Sequence, residues 1–165
     1  MIPAVQVYLD VLRARRADIL HTLDGLDATA LNWHPLDAET NSLYALATHA
    51  LGAERKWIHE IIGGRTIERD RDAELHAQGT DTQSLRALYA SAASESEEIL
   101  ARLTLADLDA PRAAMRYGQQ SVQWCVLRVI EHYNEHLGQM ALTRQLWEHR
   151  KKQSGRSLER PDLFS

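Results

Sequence analysis

His132 and His136 stand four residues apart in a chain of 165 residues that holds eight histidines. On an α-helix a four-residue step turns about 400°, so the two imidazoles lie about 40° apart on one face and about one turn apart along the axis. Such a pair can offer two nitrogen ligands to one divalent cation, as in the zinc-protease helix. The residues between them are Tyr133, Asn134 and Glu135. The general-base glutamate of the protease motif is absent, which excludes that chemistry. Two partly exposed surface histidines share the same spacing, so the pair alone does not decide between a ligand set and a solvated face. Tyr133, Leu137 and Met140 flank the pair and place it at the edge of an apolar interior, where imidazoles need partners. A third ligand has to come from another helix. His49 is the candidate, because its same-face neighbours Ala45, Gly52 and Ala53 are small and leave room for a pocket. The rival reading of His49 is a core histidine bonded to a side chain or a carbonyl.

Four periodic segments have to position these residues. Val5, Leu9, Leu12, Ile19, Leu20 and Leu23 step by three and four, with Arg16 the one polar interruption, and predict a first helix from Ile2 to Leu23 that Gly25 closes. Residues 24–41, with Asn32-Trp33-His34-Pro35, break the period and read as a loop. Asn41 or Ser42 caps a second helix that carries His49 and ends at Gly63-Gly64. Arg65 to Asp81 holds eight charged residues and reads as a polar, mobile excursion that serves as a crossover. Thr82 caps a third helix along Leu85, Leu88, Tyr89, Ala92, Ile99 and Leu103, and residues 104–119, with Pro111 and Gly118, make a second long connection. The last helix runs from Ser121 to about Lys151, roughly thirty residues or about 45 Å. With no convincing strand pattern, the expectation is an all-α four-helix bundle with long crossover connections over residues 1–151. Residues 152–165, with Pro161 and Phe164, read as a C-terminal tail.

The length suits one domain with one core. At 44% hydrophobic and 25% charged residues the chain is too apolar to be disordered. Its nineteen basic and twenty-three acidic residues give a net charge of −4, which argues against nucleic acid as a partner. Apolar runs fall far short of the ~20 residues needed to span a bilayer, and the N-terminus lacks an export pattern, so a soluble, cytoplasmic protein without a membrane partner is expected. Cys125 is the one cysteine, which excludes a disulfide framework and a multi-thiolate zinc site.

The run Ser42-Leu-Tyr-Ala-Leu-Ala-Thr-His49, the segment Glu54-Arg55-Lys56-Trp57-Ile58, and Val129-Ile-Glu-His132-Tyr-Asn-Glu-His136-Leu-Gly-Gln139 together resemble the DinB/YfiT-like superfamily. The likeness covers nearly the whole chain, from Trp33-x-Pro35 before the second helix to Arg144 after Gly138-Gln139. It implies a four-helix bundle of unusual connectivity with a three-histidine divalent metal site, whose ligands by motif position are His49, His132 and His136. It also implies kinship with thiol S-transferases that use bacillithiol, mycothiol or glutathione, and with a mycothiol-dependent maleylpyruvate isomerase. Three neutral imidazoles would hold a cation at about 2.0–2.1 Å with a position open to water or a thiol. A low-molecular-weight thiol there is deprotonated near neutral pH and can attack an electrophilic carbon; activation of water for hydrolysis is the other use. Zinc or nickel suits the site first, iron or copper next.

Three further residues are expected to bind the cofactor or substrate. Trp57 lies within about 80° of His49 and can wall the cavity, Arg128 precedes His132 by a turn and can take a carboxylate, and Gln139 can support His136 as a neighbouring donor. Their plainer readings are core, solvent-facing arginine and polar cap. Glu131 and Glu135 read as surface charges, Tyr44 and Tyr133 as core or rim, and Cys125 as a buried inert thiol. His21, His34, His59, His76 and His149 read as surface or loop residues. The function expected is a divalent-metal-binding DinB-like protein, a thiol S-transferase or isomerase acting on a small thiol and an electrophile. The alternatives are a non-catalytic metal or small-ligand binder linked to stress response and a metal-free bundle for assembly. Homodimerisation is expected from the long final helix.

Overall fold

The apolar stripes close on one another as four long helices, with shorter elements filling the connections. The structure is a computed structural model that describes residues 1–36 and 40–158. In chain order the elements are α1 (Pro3–Thr22), α2 (Ala28–Leu31), α3 (Leu43–Glu54) with a π-helical continuation (Arg55–Ile62), α4 (Arg71–Leu75), α5 (Gln83–Ala101), α6 (Leu105–Asp109), β1 (Pro111–Ala113), β2 (Gln119–Ser121) and α7 (Val122–Leu158). Pro3 opens α1 at a position where its missing N–H costs nothing, and the Ser42 hydroxyl caps α3 by accepting from Ala45 N. Thr82 stands at the start of α5, but Asp81 accepts from Gln83 N in its place.

Both α1 and α3 pack against α5 and α7, which puts α1 diagonal to α3, and α5 diagonal to α7. The crossovers therefore lie in residues 23–42 and 102–121. Residues 65–81, expected to cross over, instead join neighbouring helices. This segment is also held more firmly than its charge suggests: Asp70 caps α4 through Ala73 N, and the Asn32 side chain bonds both the N–H and the carbonyl of Gly79, at 3.0 and 2.8 Å. The core centres on Leu12, Ile19, Leu43, Ile58, Leu100 and Tyr133, all fully buried.

The fold class is all-α, as the periodicity predicts. One antiparallel hairpin departs from that reading, pairing Pro111 with Ser121, Arg112 with Gln120 and Ala113 with Gln119. Strands of three residues are too short to carry an alternation signal. α7 continues helical through Leu158, so residues 152–158, expected in the tail, extend the helix. Pro161 and Phe164 lie outside the described residues. No helix among the described residues is long and apolar enough to cross a membrane.

Arg16 interrupts the stripe of α1 for a structural reason. Its guanidinium is buried against the fully buried Glu54 carboxylate at the end of α3, with Arg16 Nε donating to Glu54 Oε2 at 2.9 Å. Ser96 on α5 and Tyr133 on α7 donate to the same carboxylate. Burial alone would raise the Glu54 pKa, but Arg16, Ser96 and Tyr133 outweigh it and hold the carboxyl below its usual range.

Candidate metal centre

α3 brings His49 to the stretch of α7 that carries His132 and His136. One ring nitrogen from each of the three lies within 4.8 Å of the others. The ring centroids are 5.1 Å apart from His49 to either partner and 4.3 Å apart between His132 and His136. His49 and His136 are buried and His132 nearly so.

The outer nitrogens decide which way the lone pairs face. His49 Nδ1 donates to Glu74 Oε2 at 2.9 Å, and His136 Nδ1 donates to Gln139 Oε1 at 2.9 Å. With Nδ1 carrying the hydrogen in each neutral ring, Nε2 keeps the lone pair. His136 Nε2 and His132 Nε2 face one another at 3.2 Å. Two ligands of one tetrahedral cation, each bound at about 2.0–2.1 Å, stand about 3.3–3.4 Å apart, so this spacing suits a shared ion. His132 Nδ1 is buried without a hydrogen-bond partner, and the nearest Glu135 oxygen is 3.9 Å away.

Charge is suppressed at the cluster. Burial first, then the neighbouring His136, His49, Arg128 and Arg69, push the His132 pKa down to about 3. Burial also lowers His136, although its bond to Gln139 opposes this. Protonation of His132 and His136 is thus disfavoured, and the neutral ring is the form a metal requires. Three converging ring nitrogens, with no acid among them, fit a divalent cation that accepts imidazole ligation.

Glu74 and Arg69 went unnoticed in the sequence. Arg69 grips the Glu74 carboxylate with two bonds of 2.8 Å, and that carboxylate orients His49. Burial would raise Glu74, yet Arg69 and His49 hold its pKa below the usual value. Glu74 reaches His49 from α4 by passing over Gly52, where a Cβ would run into the carboxyl group. The sequence signal was there in Gly52, a costly residue inside a helix, but nothing in the charged segment singled out Glu74.

The other expected residues fall at different places. Gln139 is exposed and bonded to His136. Arg128 is half-buried, bonded to Glu131 at 2.7 Å, with its guanidinium 5.8 Å from the Tyr117 ring centre. Trp57 is buried against Trp124 and Tyr117, at centroid distances of 5.7 and 6.0 Å. It lies on the π-helical continuation, whose wider turn shifts the azimuth that α-helical spacing from His49 implies. Cys125 is buried and Tyr133 belongs to the core, while Glu131 and Glu135 are exposed. His59, expected at the surface, is 1% exposed. Its Nε2 lies 3.0 Å from Ser96 Oγ and 3.2 Å from the Ala92 carbonyl, which joins it to the Glu54 network.

A family model described as mycothiol-S-transferase matches residues 7–148. No curated protein matches the chain. Among solved structures, a conserved protein from Enterococcus faecalis is similar with a TM-score of 0.70 at 14% identity, over 88% of this chain and 98% of that one. A DinB-like protein from Bacillus cereus ATCC 10987 is similar with a TM-score of 0.65 at 19% identity, over 84% of this chain and 89% of that one. At such identities the likeness establishes the fold.

Proposed function

The chain belongs to the mycothiol-S-transferase family of DinB-like proteins, and from that premise we propose that it joins the sulfur of a low-molecular-weight thiol to an electrophilic carbon at a divalent-metal site. His49, His132 and His136 would hold the metal, with zinc or nickel the best match to an all-imidazole set. The observation that carries this reading is the convergence of three imidazoles whose outer nitrogens are tied at His49 and His136. When bound, the cation supplies a Lewis acid that favours the deprotonated form of a thiol beside it.

The protein's own groups hold that site in readiness. Glu74, braced by Arg69, fixes the tautomer and tilt of His49, and Gln139 does the same for His136. Burial disfavours protonation of His132 and His136. Arg128 takes a carboxylate of the thiol, with the Trp57, Trp124 and Tyr117 rings packed behind it. In the transfer, the sulfur electron pair forms the new carbon–sulfur bond as that carbon's bond to its leaving group breaks. The leaving group departs with the electrons of the broken bond, and the thiol proton passes to solvent.

The test is a conjugation assay on purified protein, metal-loaded and chelator-treated, with mycothiol, bacillithiol or glutathione and monochlorobimane. Metal-dependent conjugation of one of these thiols is expected. Metal binding without turnover would assign the protein to the non-catalytic binders instead.

A further inference from the structure

Beyond Gln139, on the side of His136 that faces away from the converging nitrogens, a cleft of about 560 Å³ opens between Trp33 with its following loop and the outer half of α7. That volume suits one small molecule. None of the three histidines lines it, so a ligand here stays outside the metal centre. Gln139 is the link between the two places, because it lines the cleft and accepts from His136 Nδ1.

The walls and the charge of the cleft say what it takes up. Trp33, Leu46, Leu142 and Leu146 make its long walls apolar, and Leu142 and Leu146 are 57% and 43% exposed, so an apolar body gains by burial there. Among the described residues no carboxylate lines it. Arg150 stands without an ion pair at the end away from the histidines, its guanidinium 5.6 Å from the Trp33 ring centre. Its polar neighbours His149 and Gln153 bond to each other at 2.8 Å, which leaves Arg150 as the group that meets an anion. Arg150 and Gln139 lie on one helix, about 16–17 Å apart along its axis at 1.5 Å per residue, so the ligand is elongated.

We propose that the cleft is an effector site for an elongated apolar carboxylate, its acid group at Arg150 and its chain laid along Leu146 and Leu142 to cover Gln139, and that its occupancy tightens metal binding. Gln139 is exposed, so water competes for its bond to His136. An apolar chain over it excludes that water, and the bond strengthens as the local dielectric falls. A firmer acceptor at Nδ1 makes His136 Nε2 the better metal ligand. The coupling rests on the metal-centre reading above; the binding of the carboxylate does not.

The experiment uses the full chain, metal-free and zinc-loaded, with 8-anilinonaphthalene-1-sulfonate as a fluorescent reporter that dodecanoate or dodecanol displaces. Circular dichroism checks that each variant keeps its helices. Dodecanoate is expected to bind about tenfold more tightly than dodecanol, and Arg150→Glu to remove that preference. Leu146→Asp, a change at an exposed position, is expected to weaken dodecanoate about tenfold or more. Zinc-loaded protein is expected to bind dodecanoate about fivefold more tightly than metal-free protein, and dodecanoate to tighten zinc by the same factor. Gln139→Leu is expected to bring that factor to one. Failure of dodecanoate to displace the reporter from either form would overturn the effector site. So would a dimer that Leu146→Asp dissociates in sedimentation, because a second copy of the chain would then fill the cleft. Equal dodecanoate affinity with and without zinc, in protein that holds zinc, would overturn the coupling and leave the metal centre standing. Protein that takes up no zinc would overturn the metal-centre reading and the coupling with it, while displacement of the reporter by dodecanoate would still uphold the cleft.

Discussion

Two polar clusters share the same pair of helices and are built on opposite logic. Glu54 on α3 and Tyr133 on α7 belong to one; His49, five residues before Glu54, and His132, adjacent to Tyr133, belong to the other. Around Glu54, donors meet an acceptor: Arg16, Ser96 and Tyr133 all point at one carboxylate, and the charges cancel. Around the histidines, ring nitrogens converge on one another, with two Nε2 atoms 3.2 Å apart and a third ring facing them. The Glu54 set serves as scaffold, although Arg16 Nη1 is buried without a partner. The histidine set, whose ring nitrogens converge, is compatible with a shared cation.

The contrast is sharpest under substitution. Glu54→Ala strands the Arg16 guanidinium in the core, and urea denaturation is expected to show a loss of about 3–5 kcal/mol. The protein that remains folded should still bind metal with the same stoichiometry. Glu74→Gln keeps the size of the side chain but removes the charged acceptor of His49. Chelator competition is expected to show metal affinity about 10–100-fold weaker, with the fold intact by circular dichroism.

A third effect is expected with pH. His132 has a folded pKa of about 3, below the ordinary histidine value of 6.5. Between these values the unfolded chain binds a proton that the folded chain refuses, so the unfolded state gains as pH falls. The metal-free protein should hold the full contribution of His132 above pH 6.5 and lose it progressively toward pH 3. His132→Gln should flatten that dependence in denaturation midpoints measured across the window. The same suppression at His132 and His136 predicts that metal binding, followed by chelator competition across the same pH window, persists below pH 6.5 at these two positions.

Much of this was readable from residue types and spacing, and the rest was not, for definite reasons. The four-residue step of His132 and His136 and the small residues around His49 are local, and helical geometry converts them directly into a shared face. The pairings of Arg16 with Glu54 and of Arg69 with Glu74 are contacts between segments, and charges that meet only in the fold leave no periodic trace. His59 was misplaced because its azimuth was taken from α-helical spacing, while it lies on the π-helical turn after Glu54. Residues 65–81 looked mobile because their charges were counted without their partners, namely the Asp70 cap, the Asn32 bonds to Gly79 and the carboxylate on His49.

The most direct test of the central claim is elemental analysis of the purified protein, equilibrated with a divalent metal, beside a His136→Ala variant. The account predicts about one metal per chain, lost in the variant while its helical signal persists. Equal metal content in the two proteins, or none in either, would contradict it.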